Sequence, residues 1–144
     1  MAAINTQKVI VGGLAAGVVM NVIDFVSNMF ILQNRMKGEL EAVNPMLWAN
    51  MSDTGKIPIF VGIDFVLGIL LVWLYAAIRP RFGPGAGTAV KAALFIWIWS
   101  GGMWYFFVLM GVMSVGTFAI SSCVALVNLL LSAWVGGMLY KEAA

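Results

Sequence analysis

The sequence predicts an all-α protein: a four-transmembrane-helix bundle, N-in/C-in, with a short interfacial segment between helices 1 and 2. Composition is the first observation behind that reading. Of 144 residues 62% are hydrophobic and only 10% charged, well beyond the make-up of a soluble globular domain. The second is the count of four apolar segments, at about 9–33, 57–78, 88–110 and 114–139, each of spanning length. The third is the distribution of cations between them. Lys8, Arg79, Arg81, Lys91 and Lys141 fall on one side, against Arg35, Lys37 and Lys56 on the other. Loops rich in Lys and Arg stay in the cytoplasm, so both termini are expected inside. A single transmembrane domain over residues 1–144 is expected, multi-pass, in a bacterial inner (cytoplasmic) membrane.

Absent residue types narrow the chemistry. The chain has no histidine, which removes histidine-ligated haem, His-rich zinc or di-iron sites and His proton relays. Its single cysteine, Cys123, cannot form an internal disulfide, which excludes a thiol–disulfide oxidoreductase. No cofactor or metal is predicted, though the apolar faces leave room for a bound lipid. A net charge of +2 without a long basic run gives no reason to invoke nucleic acid.

Residues Met1–Gln7 read as a short polar leader at the membrane surface. Lys8 and the apolar run after it have the outline of a signal peptide, but the run exceeds a usual h-region, so an uncleaved span is expected. Within this first span Gly13, Gly17, Asn21, Asp24 and Asn28 share a narrow arc of the helix. Gly13 and Gly17 form a small-xxx-small pair that lets another backbone approach closely. The polar half must face protein or water, because a charge facing lipid at that depth costs several kcal/mol.

Between Asn34 and Lys56 the chain is too polar to span. Asn44 before Pro45 reads as an N-cap and first-turn proline, predicting a short helix from Pro45 to about Met51, with Trp48 as an interface anchor. Span two opens with Pro58 in its first turn, and Ile57, Val61, Asp64, Gly68, Leu71 and Tyr75 share one face. Ile23-Asp24-Phe25-Val26 recurs there letter for letter as Ile63-Asp64-Phe65-Val66. Asp24 and Asp64 lie at similar distances from the outer ends of their spans, both about 10 to 14 Å deep. If adjacent, the carboxylates would share a proton or hold a cation. The Pro- and Gly-rich turn from Arg79 to Gly87 is expected to end the span, and Thr88 to cap the next.

The run Trp73-Leu74-Tyr75-Ala76-Ala77-Ile78-Arg79-Pro80-Arg81-Phe82-Gly83-Pro84-Gly85, together with a Gly-rich first span carrying an acidic residue before Phe25, resembles an uncharacterised family of small four-span bacterial integral membrane proteins. The resemblance implies the fold and a bacterial membrane setting. It implies no mechanism and no catalytic residue.

Span three carries Ala93, Trp97, Gly101 and Trp104 on one face. Such an aromatic face stacks on a flat apolar ligand such as a quinone or pigment, or interlocks with a neighbouring helix; packing is the plainer reading. Gly111 to Gly116 forms a hairpin, and span four presents Ser121, Ala125, Asn128, Ser132 and Gly136 as a small, polar stripe for helix packing. Asn21, Asn28 and Asn128 are the expected donors to Asp24 or Asp64.

Three functions compete. The first is a structural or accessory subunit of a membrane complex, or a homo-oligomer, with lipid, other membrane subunits or copies of itself as partners. The second is a proton- or cation-coupled transporter or channel using Asp24 and Asp64. The third, a small membrane enzyme on an apolar substrate, has only the paired aspartates as acid and base and no marked nucleophile, so the sequence leans away from an enzyme.

Overall fold

A computed structural model describes residues 4–142. They form six α-helices: α1 (Thr6–Ser27), α2 (Gln33–Val43), α3 (Pro45–Met51), α4 (Ile57–Phe82), α5 (Ala86–Leu109) and α6 (Val115–Leu139). A π-helical turn, Asn28–Leu32, joins α1 to α2 without a break, and a 3₁₀ turn, Thr54–Lys56, leads into α4. Four helical stretches, Thr6–Val43, Thr54–Phe82, Ala86–Leu109 and Val115–Leu139, are long and apolar enough to cross a membrane, as in a multi-pass membrane protein.

The helix boundaries follow local chemistry. Asn5 caps α1 by accepting from the Lys8 amide at 3.1 Å, and Ser114 caps α6 by accepting from the Thr117 amide at 3.1 Å. Asn44 accepts from the Met46 amide at 2.9 Å with Pro45 following, so α3 occupies the stretch the sequence predicted. Two expectations need correction. Helix α4 does not end at the Arg79–Pro80 step but runs through Pro80 to Phe82. Proline there forfeits one hydrogen bond within the last turn, and the Gly83 amide still closes on Arg79 O at 2.8 Å before Gly83, at φ 82°, ends the helix. Thr88 is not the cap of α5 either. Gly85 holds that position, and Thr88 sits buried in the first turn, its hydroxyl donating to Gly83 O at 2.6 Å.

The first and last described residues lie at one end of the bundle, where the Asn5 amide donates to the Tyr140 hydroxyl at 3.3 Å. We call this the terminal end and the other, carrying α2 and α3, the cap end. Helix α1 packs against α4 and α6, and α5 packs against α6 and α4. The core is concentrated toward the terminal end, among Val9, Ala16, Leu71, Val72, Ala92 and Ala133. Glycines bring the backbones together there. A Cβ on Gly12 would stand 2.6 Å from Gly136 O, and one on Gly68 would strike Gly13 O and stand 2.6 Å from the Gly17 nitrogen.

Candidate functional site

A polar cluster spans α1, α4 and α6 at the point where the tight packing gives out. Asn128, buried on α6, donates from Nδ2 to Asp24 Oδ1 at 2.7 Å and reaches Met20 O at 3.4 Å. The fully buried Ser132 donates to Asn128 Oδ1 at 3.1 Å, one turn further on the same face. The Asn128 amide is thereby fixed from both sides and ties α6 to α1. Ser27, also buried, turns its hydroxyl back to Asp24 O at 3.2 Å.

Helix α4 brings Asp64 beside this network. The Asp24 and Asp64 carboxylates lie within range of one another's charge, so the two copies of the repeated tetrapeptide meet across the α1–α4 interface. Asp24 accepts from Asn128, whereas the half-buried Asp64 accepts no side-chain hydrogen bond among the described residues. Two like charges at short range favour a shared proton or a cation between them.

The predicted donors divide. Asn128 bonds to Asp24 as expected. Asn21 donates instead to backbone, to Gly17 O at 2.9 Å and Val61 O at 3.4 Å, clipping α1 to α4 beside the acidic pair. Asn28 does not join the cluster: it is exposed and opens the π-helical turn. It stands one turn nearer the cap end, and its side chain makes no hydrogen bond among the described residues.

From the cluster toward the cap end the bundle opens. Along the α4 stripe exposure rises from 0% at Leu71 to 38% at Val61, and along the α5 stripe from 0% at Ala93 to 49% at Trp104. Gly101 was expected to pack, but a Cβ there would meet nothing within 4 Å. Trp97 interlocks with α6, its indole N–H donating to Ser122 O at 2.8 Å, while Trp104 stacks at 5.3 Å on Phe107 of its own helix. The Ser121 hydroxyl is buried with no hydrogen-bond partner among the described residues. Gly13, Gly17, Gly68, Ser132 and Gly136 all lie in close interhelical packing.

Sequence reasoning missed a second polar junction. Glu39 on α2 accepts from the Ser114 hydroxyl at 2.5 Å, the Ser114 amide at 3.2 Å and the Thr117 hydroxyl at 2.7 Å. A carboxylate thus sits on the positive N-terminus of α6, beyond the apolar segments. Burial pushes the Glu39 carboxyl up, but the hydrogen bonds from Ser114 and Thr117 and the charge of Arg35 outweigh it and hold it below the usual glutamate value of 4.5. Trp48 of α3, the expected interface anchor, is half-buried nearby in sequence, and its carbonyl accepts from Ser52 at 2.8 Å.

Comparison with protein-family models, curated proteins and solved structures gives no match to this chain.

Proposed function

We propose that the chain is a structural or accessory subunit of a larger membrane complex, or a self-associating one, in a bacterial inner membrane with both termini cytoplasmic. The observation that carries this reading is the unclosed cap-end half. The α4 and α5 stripes are exposed there, and Asp64 has no donor among the described residues at a depth where lipid offers none. A helix from another polypeptide seated between α4 and α5 covers both stripes and brings a donor to Asp64. The stripes suit such a partner, because Gly101 gives room for close approach and Trp104 gives bulk on either side of it. Gentle extraction from the native membrane followed by native mass spectrometry tests it: the reading expects additional polypeptides or copies with the chain, and an isolated monomer would overturn it.

One specific observation favours a second reading, a proton or cation path. The acidic pair lies on the cap-end side of the Gly12–Gly136 and Gly17–Gly68 contacts, which close the bundle below it. A path through the pair would be entered from the cap end. Asp64→Asn separates the readings: lost cation or proton flux in liposomes with assembly intact supports transport, and lost assembly with no flux in the wild type supports the subunit.

A further inference from the structure

The far end of the molecule carries a different site, independent of the acidic pair. Beneath the α4–α5 turn lies a cavity of about 190 Å³, lined among others by Tyr75, Arg79, Gly85, Ala86, Trp134 and Tyr140. We propose that it takes a phosphate group, supplied by the headgroup of an anionic phospholipid.

The donors point to an oxyanion. Arg79 is only 18% exposed, and its Nε is buried without a hydrogen-bond partner among the described residues. The guanidinium is held in place by the Tyr140 ring, 5.6 Å away, and by the Glu142 carboxylate, 3.0 Å from Nη1. Glu142 pairs with the charge at Nη1 without closing a hydrogen bond, so the buried Nε and Nη1, parts of the same rigid fork, both need an acceptor. The Tyr75 hydroxyl accepts from the Gly85 amide at 3.1 Å and the Tyr140 hydroxyl from the Asn5 amide at 3.3 Å. Each keeps its own O–H to give. The first turn of α5 has no side-chain cap, and the Thr88 and Ala89 amides both return to Gly85 O. The amides of Ala86 and Gly87, ahead of them, have no intrahelical acceptor and carry the positive end of the helix dipole.

The position points to a lipid as the source. Lys8, Arg81, Lys91 and Lys141 belong to the same end of the bundle, and a half-exposed Trp134 forms part of the cavity wall, as aromatic residues do at the level of headgroups. Basic pockets between transmembrane helices bind anionic headgroups by this chemistry. Glu142, in the last stretch of chain described, competes with the ligand for Arg79.

The test is native mass spectrometry of the full chain, with phosphatidylglycerol or phosphatidylcholine supplied in equal amount. Wild type retains phosphatidylglycerol preferentially. Arg79→Gln lowers that retention about fivefold, the loss of one charge contact near a membrane surface, and Lys37→Gln, on α2 at the opposite end of the bundle, leaves it unchanged. Glu142→Gln raises retention by freeing Arg79, and decides the question if Arg79→Gln does not fold. Equal retention by wild type and Arg79→Gln, or a fall in Glu142→Gln, overturns the proposal. Inorganic phosphate added to delipidated protein distinguishes the source. Thermal protection by phosphatidylglycerol alone assigns a lipid, equal protection by phosphate alone assigns the free ion to the same donors, and protection by neither overturns the site.

Discussion

At the terminal end, Gly12, Gly13, Gly17, Gly68 and Gly136 bring three helices into backbone contact, whereas at the cap end Gly101 and Gly102 of α5 face open space. The residue type is the same and the packing opposite. The difference lies in what stands across from each glycine. Gly17 meets Gly68, so two backbones each lacking a Cβ come together, and the gap closes by dispersion contacts that lipid cannot match so well. Gly101 has no counterpart within this chain. A small residue inside a membrane is therefore a half-contact, and the other half of the cap-end surface belongs, on the reading proposed above, to another polypeptide. The polar cluster marks the border: Asn128 and Ser132 lie on the closed side, fully engaged, and Asp64 on the open side, short of a donor.

The largest effect should come from filling the closed half. In Gly68→Leu the side chain meets the backbone of Gly13 and Gly17, which cannot swing aside, so α1 and α4 must separate. Overpacking typically costs about 1–3 kcal/mol, and a backbone clash on two residues lies at or above the top of that range. Thermal unfolding in detergent should show it. Gly101→Ala meets nothing in the isolated chain and should leave it unchanged or firmer by up to about 1 kcal/mol through helix propensity. A loss of stability for Gly101→Ala in the native membrane but not in the purified monomer would place a partner against it.

Next comes the border. Asn128→Leu removes the donor to Asp24 on α1 and, within α6, the acceptor of Ser132; an interhelical bond of the first kind contributes about 0.6–1.7 kcal/mol in membranes. Unfolding should shift by about 1–2 kcal/mol. Asn28→Leu, outside the network, should change little.

A smaller, pH-dependent effect belongs to Glu39. Its carboxyl is depressed in the folded chain, so the stability it contributes is present above the ordinary glutamate value of 4.5 and is lost as pH falls through the lower, folded value. Wild type should be more stable than Glu39→Gln at neutral pH, and the two melting temperatures should converge as the pH is taken well below the ordinary glutamate value. A gap that persists in acid would mean that the Ser114 and Thr117 contacts do not depend on the charge.

Much of this contrast was legible in the residues. Four spans, the Asn44–Pro45 start of α3, the Gly13/Gly17 groove and the Asn128 stripe all follow from periodicity and local capping, which depend on neighbours a few residues apart. The depth arithmetic also put Asp24 and Asp64 on one level, but only the fold could show that α1 lies against α4. The failures have a common cause. Gly101 resembles Gly17 in sequence, and Asn28 resembles Asn21, because helix spacing names a face without saying what stands opposite. The Glu39–Ser114 junction joins residues 75 apart, and the Arg79–Tyr140 stack joins the last turn of α4 to the residue after α6. Neither has a local signature. Pro80 misled in another way: near a helix end its missing N–H costs a single bond, which the last turn survives.

The most direct test of the open half is photo-crosslinking in the native membrane. A photoreactive amino acid is placed at Gly101, in the uncovered stripe of α5, or at Ala77, exposed on α4 in the closed half. The account predicts polypeptide adducts from position 101 and lipid adducts alone from position 77. Lipid adducts alone from both would contradict it, leaving the exposed cap-end stripes facing bilayer and the acidic pair to be explained by ion binding.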